Sequence, residues 1–346
     1  MNDSIFHTDT IERLTALLHS PRNIIITTHH KPDGDALGSS LGLMHVLRQC
    51  GHRVQVILPS EFPGFLNWMS GSGDAVDFIR ESSKGTKAMN DAELLFCLDF
   101  NDPARVEALE GVLRKSSATK ILIDHHLDPK TEDFNLSISL PSQASTSEII
   151  VHLVCHLGLD GFLHRDAAEC LYAGIMTDTG SFRFNSVTSS THRAVARLMD
   201  AGVRNDWVFE RIYDHNSENR IRFMGYTLLE KMKVIPEFST VVMTASQDDM
   251  DRFGHAPGDL EGIVNYGLSI TGMKLSVFFS QRDGLVKISF RSKGAFSVKE
   301  IAEKYFHGGG HRNAAGGRSN TDLDSAVQTF IDLLPNYESE LRPDAR

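Results

Sequence analysis

Five short apolar runs, separated by segments with helical spacing, dominate the first 140 residues of the chain. The runs are NIIIT (23–27), RVQVIL (53–58), ELLFCLDF (93–100), KILIDHH (120–126) and LSISL (136–140). Between the first two, ALGSSLGLMHVLRQCG has apolar residues at helical spacing and ends on Gly51, a residue suited to terminating a helix. This alternation predicts an α/β domain with a parallel sheet and helices on both faces.

Helical periodicity then dominates from Ser147 to about Met232, and a second strand-rich pattern follows it. The later runs are STVVMTA (239–245), MKLSVFFS (273–280) and GLVKISFRS (284–292). After them we expect a helix over 297–305, the loop HGGGHRNAAGG and a last amphipathic helix over 322–334. We therefore predict an N-terminal parallel-sheet domain over residues 1–205, a helical linker over 206–235 and a smaller C-terminal α/β domain with a mixed sheet over 236–346.

The composition of the 346 residues, 41% hydrophobic and 23% charged, is typical of a globular protein. No apolar segment approaches the ~20 residues that span a bilayer, and MNDSIFHTDT does not resemble a signal peptide. We therefore expect a cytoplasmic protein with no membrane partner. The four cysteines form no CxxC pair, which excludes a zinc ribbon. A net charge of −10 argues against binding of long duplex nucleic acid but leaves small anionic substrates open.

Three of the predicted strands end in carboxylate and imidazole groups. The first run leads to His29, Asp33 and Asp35, the third ends at Asp99, and the fourth ends at Asp124, His125 and His126. In open parallel sheets, ligands bind beyond the carboxyl ends of the strands. Carboxylates crowded into one crevice would repel one another, so we expect cations among them.

Asp178 is a fourth candidate, because it ends the apolar helical segment that precedes Gly180. Each residue alone has a simpler interpretation: Asp35 and Asp102 could be helix N-caps, and TDTG could be only a helix-ending turn. Together, four carboxylates would balance two divalent ions. Mixed oxygen and nitrogen ligands suit Mn²⁺, with Mg²⁺, Co²⁺ or Zn²⁺ as alternatives. Two ions about 3.5–4 Å apart can share a bridging hydroxide that attacks phosphorus.

The blocks HHKPDGDALGS, CLDF, IDHH and GIMTDTGSFRF occur in this order, and the chain from about Asn23 to Arg318 resembles the DHH phosphoesterase superfamily. The resemblance implies the following roles. His29, Asp33 and Asp99 hold one metal, while Asp35, His125 and Asp178 hold the other, with Asp99 bridging the two. His126 faces the substrate and acts with Asp99 in catalysis, and Asp124 orients a histidine. Lys31 stands where many members have Asn, and His30 fills a variable position.

The block GGGHRNAAGG (308–317) is similar to the DHH-associated domain of enzymes that degrade very short RNAs and dephosphorylate 3′-phosphoadenosine 5′-phosphate. Backbone N–H groups of Gly308, Gly309 and Gly310 could approach an anion closely. His311 would add a donor and Arg312 a charge. Upstream, Arg291 ends a predicted strand, where its guanidinium could bind a terminal phosphate with two hydrogen bonds.

The resemblance implies a metal-dependent phosphoesterase with two divalent cations, for which we expect Mn²⁺, with Mg²⁺ or Co²⁺ as alternatives. It would hydrolyse very short oligonucleotides to 5′-mononucleotides, or 3′-phosphoadenosine 5′-phosphate to AMP. Hydrolysis of pyrophosphate or short polyphosphate is the nearest alternative. A processive exonuclease of the RecJ type fits the acidic charge less well, and a non-catalytic nucleotide or metal sensor belongs to another class. The sequence leaves a homodimer open.

Overall fold

The structure, a computed structural model, describes residues 5–214, 216–256 and 258–343. The chain divides into two compact units, residues 1–215 and 216–346. Each unit contains its own six-stranded sheet and its own hydrophobic core. The sequence predicts a linker over residues 206–235. In the structure, residues 206–215 belong to the first unit and residues 216–235 to the second.

The first unit alternates strands with helices, as the apolar pattern predicts. Its strands are β1 (Asn23–Thr27), β2 (Arg53–Leu58), β3 (Val76–Asp77), β4 (Leu94–Leu98), β5 (Thr119–Asp124) and β6 (Leu136–Ser139). Its helices are α1 (Thr8–Leu18), α2 (Gly34–Gln49), α3 (Ser82–Asn90), α4 (Glu110–Lys115), α5 (Thr146–His156), α6 (Arg165–Asp178), α7 (Ser189–Asp200) and α8 (Asn205–Tyr213).

The first sheet has the strand order β3-β2-β1-β4-β5-β6, and every neighbouring pair is parallel. Successive side chains of a strand point to opposite faces, so both faces of this apolar sheet must be covered. Ile24 and Ile26 of β1 pack in a core that includes residues of α2, α5 and α6. Ile25 packs in a second core with Met89 of α3 and Leu113 of α4. The predicted parallel sheet with helices on both faces is confirmed.

The second unit contains a mixed sheet of six strands. The strands are β7 (Met232–Ile235), β8 (Thr240–Ala245), β9 (Leu275–Arg282), β10 (Leu285–Ser292), β11 (Gly309–His311) and β12 (Ala314–Ser319). The helices are α9 (Glu218–Glu230), α10 (Gln247–Arg252), α11 (Ile263–Gly267), α12 (Val298–Tyr305), α13 (Leu323–Leu333) and α14 (Glu338–Leu341).

In this second sheet the order is β11-β12-β10-β9-β8-β7, and β8 and β9 are parallel while the other pairs are antiparallel. Phe279 packs against Phe330 of α13 on one face, and Phe278 belongs to a core with Phe223 of α9 on the other. The predicted mixed sheet is therefore confirmed. Across the described ranges, no helix combines the length and the apolar character that crossing a bilayer would require.

The glycine-rich segment that the sequence predicts as a loop is a β-hairpin. Gly309 pairs with Gly316, Gly310 with Ala315, and His311 with Ala314, so β11 and β12 extend the sheet beyond β10. Glycine has a low intrinsic preference for strands, which is why the pattern does not predict these two. Here β12 pairs with β10, and β11 pairs with β12, so both segments form strands despite their glycines.

Candidate metal centre

The strand order places a topological switch point between β1 and β4, which are neighbours in the sheet although β2 and β3 separate them in the chain. Ligands of open α/β sheets bind at the carboxyl ends of strands beside such a point. His29 lies two residues beyond β1, and Asp99 directly follows β4. Asp99 is only 2% exposed and has a left-handed backbone, with φ of 64°, which turns the chain sharply at the strand end.

Asp33 is the N-cap of α2 and also faces a histidine of the cluster. Its Oδ1 accepts hydrogen bonds from the backbone N–H groups of Asp35 and Ala36, both at 3.0 Å. Its Oδ2 lies 3.7 Å from Nε2 of His29, and the same nitrogen lies 3.6 Å from Oδ2 of Asp99. The capping role considered for Asp35 falls on Asp33, because α2 begins at Gly34.

Asp35 is buried and is held by the N-terminus of α5. Its Oδ2 accepts the backbone N–H of Thr146 at 2.6 Å, and its Oδ1 accepts that of Ser147 at 2.9 Å. The first N–H groups of a helix lack intrahelical partners and carry partial positive charge, so they stabilise a carboxylate. Each oxygen of Asp35 retains a second acceptor position for a cation.

His125 lies between two carboxylates that come from different elements. Its Nε2 is 3.3 Å from Oδ2 of Asp178, the last residue of α6, and 3.5 Å from Oδ1 of Asp99. Asp178 is therefore brought to the strand ends although it is far from them in sequence. The turn after α6 is part of the cluster and not only a helix-ending turn.

Asp124 and His126 form a closely bonded pair beside the cluster. Nδ1 of His126 lies 2.7 Å from Oδ1 of Asp124, whose side chain is completely buried. The other oxygen of Asp124 accepts the backbone N–H of His126 at 3.1 Å. These two contacts fix the imidazole ring, as is typical of histidines that act beside a metal. Nδ1 of His126 also lies 3.8 Å from Oδ1 of Asp99.

Three groups of these side chains bring their ligand atoms within 4.8 Å of one another. The groups are His29, Asp33 and Asp99; Asp35, His125 and Asp178; and Asp99, His125 and His126. Asp99 links them, because its Oδ2 faces His29 while its Oδ1 faces His125. Carboxylate oxygens and imidazole nitrogens without thiolates fit a hard or borderline divalent cation.

Burial and the charges of neighbouring side chains shift the pKa values of the cluster. Burial disfavours the imidazolium of His29, but the carboxylates of Asp33 and Asp99 outweigh it and raise its pKa to about 10. Burial and the charge of Asp99 raise the pKa of Asp35 to about 7. Burial also raises the pKa of Asp178 well above its ordinary value. Such crowding of acids calls for compensating positive charge, from protons or from metal ions.

Three polar residues near the cluster form contacts outside it. Asp102 caps a short 3₁₀ helix by accepting the N–H of Ala104 at 2.9 Å, so the capping interpretation is right for this residue. Nε2 of His30 lies 3.4 Å from Oε2 of Glu107. The backbone N–H of Lys31 donates to Ser60 Oγ at 2.8 Å.

Thr146 and Ser147 are site residues that the sequence reasoning missed. Besides holding Asp35 through its N–H, Thr146 donates its hydroxyl to Oδ1 of Asp99 at 2.9 Å. The available signal was the sequence STSE, in which Ser145 precedes an apolar helix and Glu148 follows three residues later, a typical helix start. Ser145 does cap α5 by accepting the N–H of Glu148 at 3.1 Å.

In the second unit, Arg291 and His311 lie on the same face of the sheet. Ala314 of β12 pairs with Arg291 on one side and with His311 on the other, and directly paired residues share a face. Lys287 and Arg318 form a pair on this face as well. Arg291 donates to the carbonyl of Phe290 at 2.9 Å, and burial lowers its pKa. Within the described ranges, no acidic side chain forms an ion pair with it.

Two of the three glycines before His311 are required by the hairpin itself. A Cβ on Gly308 would lie 1.9 Å from the carbonyl oxygen of Gly316, and one on Gly310 would lie 2.5 Å from that of Ala314. The N–H of Gly308 donates to Ala302 at 3.0 Å, so this group already has a partner. The anion contacts expected for Gly309, Gly310 and Arg312 remain predictions.

Both units match known families. Residues 23–175 match the DHH family, N-terminal domain, and residues 239–337 match the DHHA1 domain. A solved structure of an exopolyphosphatase-related protein from Bacteroides fragilis is 36% identical and superimposes with a TM-score of 0.94, covering 97% of this chain and 98% of that one.

Two curated relatives are similar over most of their length. The bifunctional oligoribonuclease and PAP phosphatase of Thermus thermophilus is 31% identical over 90% of this chain and 89% of the relative. The protein of the same description from Bacillus subtilis is 28% identical over 90% of this chain and 93% of the relative. With two matching domains and a relative that is 31% identical over 90% of this chain, the chain belongs to the DHH family.

Proposed function

We propose that this protein is a metal-dependent phosphoesterase that hydrolyses very short oligonucleotides to 5′-mononucleotides, and 3′-phosphoadenosine 5′-phosphate to AMP. The observation that carries the proposal is the position of Asp99, whose two oxygens face His29 and His125 in separate ligand groups. The relatives described as oligoribonuclease and PAP phosphatase support this choice of substrates.

We assign the metal ligands as two sets that share Asp99. The first comprises His29, Asp33 and Asp99. The second comprises Asp35, His125 and Asp178, together with Asp99, whose Oδ1 faces His125. Mn²⁺ suits this mixture of oxygen and nitrogen donors, and Mg²⁺ or Co²⁺ are alternatives. When bound, two such cations supply an activated water and neutralise charge that develops on the phosphoryl group.

The protein residues would contribute positioning and proton transfer. Asp124 orients the His126 ring through a 2.7 Å contact to Nδ1, and we assign Nε2 to proton exchange with an oxygen of the substrate. The N-terminus of α5 orients Asp35 through two N–H groups, and these favour its ionised form against the effect of burial. These groups are placed before the substrate arrives, so little reorganisation is needed during the reaction.

The basic face of the second sheet would bind substrate phosphates. Arg291 is largely buried and has no carboxylate partner among the described residues, so an anion would relieve the cost of its desolvation. His311, two strands away on the same face, would add a hydrogen bond. We propose contacts from Gly309, Gly310 and Arg312 as well.

Turnover measurements with Mn²⁺ on three substrates test this function. We expect release of mononucleotides from a diribonucleotide and of phosphate from 3′-phosphoadenosine 5′-phosphate, with little hydrolysis of pyrophosphate. The control is the variant Asp99→Asn. Turnover of neither nucleotide would overturn the proposal, and binding without turnover would favour a sensor.

Cleavage of phosphoanhydrides is a second candidate, because the Bacteroides fragilis protein is described as exopolyphosphatase-related. The same ligand groups would serve that reaction, since both reactions displace an oxygen from phosphorus. Hydrolysis of pyrophosphate or tripolyphosphate that exceeds hydrolysis of both nucleotides would favour this candidate.

A further inference from the structure

The loop that follows Asp178 holds one aromatic ring inward and presents another outward. Gly180, Ser181 and Phe182 have consecutive left-handed backbones, with φ of 55°, 60° and 64°. The ring of Phe182 packs against Tyr172 at 5.7 Å between centroids. Two residues later, Phe184 is 43% exposed. A left-handed backbone at two residues that are not glycine costs energy, so the packing of this loop must compensate for it.

The position of the Phe184 ring depends on Gly180. A Cβ at Gly180 would lie 2.5 to 2.9 Å from atoms of the ring, so the ring rests directly on the glycine backbone. Gly180 is two residues beyond Asp178, which belongs to the ligand cluster. The backbone N–H groups of Arg183 and Phe184 both donate to the carbonyl of Thr179 at 3.1 Å, which fixes the ring close to the end of α6.

Arg183 completes a surface with both aromatic and cationic character. Its guanidinium carbon lies 5.6 Å from the centre of the Phe184 ring. Arg183 is exposed and, in the part of the chain that the structure describes, forms no ion pair with an acidic side chain. An exposed ring beside a guanidinium can bind single-stranded nucleic acid, through stacking on a base and contact with phosphate.

We propose that Phe184 and Arg183 form a nucleotide platform in which the ring stacks on a nucleobase of the substrate and the guanidinium contacts a phosphate. This inference rests on the proposed function and adds residues that recognise the base. The platform would favour nucleotides over phosphate compounds without a base, because pyrophosphate offers nothing to stack on the ring.

The test compares Phe184→Leu and Phe184→Trp on three substrates. These are a diribonucleotide and its two analogues, in which either the first or the second nucleoside lacks its base. Leu still covers Gly180 but has no aromatic face, whereas Trp retains one. We expect Phe184→Leu to raise KM for the diribonucleotide about tenfold. This factor corresponds to the lower part of the range of free energies for stacking one base on an aromatic side chain. KM for one of the two abasic analogues should not change, and Phe184→Trp should behave like the parent protein.

Arg183→Gln is the companion variant. All of these substrates contain the phosphate that Arg183 would contact, whether or not a base is missing. It should raise KM for the diribonucleotide and both analogues by the same factor, about two- to fivefold, as expected of an exposed charge contact. Thermal unfolding of all three variants should match that of the parent protein. Unchanged KM in Phe184→Leu, or an equal rise for the diribonucleotide and both analogues, would overturn the platform.

A binding measurement keeps the platform separate from the proposed function. Equilibrium dialysis of the diribonucleotide in EDTA requires no turnover. If the parent protein hydrolyses neither nucleotide substrate, the proposed function fails, but a weaker affinity in Phe184→Leu would still support the platform. Equal affinities of the parent protein and Phe184→Leu would overturn it.

Discussion

The hydroxyl of Thr146 donates a 2.9 Å hydrogen bond to Oδ1 of Asp99, and both side chains are buried. The backbone N–H of Thr146 also holds Asp35, so one residue at the start of α5 orients a carboxylate of each ligand set. Groups that orient metal ligands affect metal affinity although they do not touch the metal. The start of α5 therefore supports a carboxylate in both of the proposed ligand sets.

Removing the hydroxyl of Thr146 should weaken metal binding. Thr146→Val keeps the shape of the side chain and the N–H that holds Asp35, but leaves Oδ1 of Asp99 without this donor. We expect the affinity for Mn²⁺ to fall about tenfold, at the lower end of the range for groups that orient ligands. Thr146→Ser restores the donor and serves as the control. Equal Mn²⁺ affinity in the Val and Ser variants would contradict the role of the hydroxyl.

Asp99→Asn should abolish hydrolysis while the fold persists. Asn has nearly the same size and adopts a left-handed backbone more readily than most residues, so the turn after β4 is preserved. The amide replaces the carboxylate that links the ligand groups, and we expect kcat to fall by about a thousandfold or more. Near-normal turnover, with circular dichroism like that of the parent protein, would show that Asp99 does not link two metals.

The contact between α6 and Asp35 depends on Gly174. A Cβ at this position would lie 2.1 Å from Ser147 Oγ and 2.8 Å from Asp35 Oδ1. Gly174→Ala should therefore lower the free energy of unfolding by about 1–3 kcal/mol through overpacking and should weaken Mn²⁺ binding as well. Gly111→Ala in α4 is the matched control, because a Cβ there has no neighbour within 4 Å. If both variants unfold at the same temperature, the close approach at Gly174 is not required.

Much of this centre follows from the sequence, because its parts lie at the ends of apolar runs. The runs that became β1, β4 and β5 are continuous, since both faces of a parallel sheet are buried, and their ends place His29, Asp99 and His125 together. The sequence STSE predicts where α5 begins, but not which side chain its first N–H groups hold, because Thr146 and Asp35 are 111 residues apart in the chain.

The strands that the pattern does not predict are short, lie at a sheet edge or are rich in glycine. β3 has two residues, and Lys233 and Val234 of the edge strand β7 are exposed, so neither strand contains a run of buried residues. In β11 and β12, glycines obscure the pattern entirely. Such elements depend on a neighbouring strand that is distant in sequence.

Arg291→Gln should weaken substrate binding without loss of stability. The guanidinium is largely buried, and no carboxylate among the residues that the structure describes pairs with it. Replacing it by a neutral amide should therefore leave the unfolding temperature unchanged or raise it. KM for 3′-phosphoadenosine 5′-phosphate should rise about tenfold or more as a charged hydrogen bond to phosphate is lost. Lys299→Gln on α12 is the control, and equal KM values in both variants would contradict phosphate binding by Arg291.

The stability of the metal-free protein should fall as pH rises from about 6 to about 9, because folding raises the proton affinity of the cluster. The folded-state pKa of Asp35 is raised from 3.8 to about 7, so its contribution is present below pH 3.8 and is lost as pH rises through 7. That of His29 is raised from 6.5 to about 10, so its contribution is present below pH 6.5 and is lost as pH approaches 10. The folded-state pKa of Asp99 is lowered, so its contribution to stability depends on pH in the opposite sense. That contribution changes only at acid pH.

Mn²⁺ should reverse this trend, because a cation takes the place of the protons on these ligands. Thermal unfolding in EDTA and in excess Mn²⁺ should therefore differ more at pH 8 than at pH 6, and calorimetry in two buffers of different ionisation enthalpy should detect proton release on binding. In His29→Gln, the unfolding temperature in EDTA should depend less on pH, because the imidazole that retains its proton is absent. An EDTA profile that rises from pH 6 to pH 8 would contradict the assignment, since the folded cluster would then bind protons less tightly than the unfolded chain.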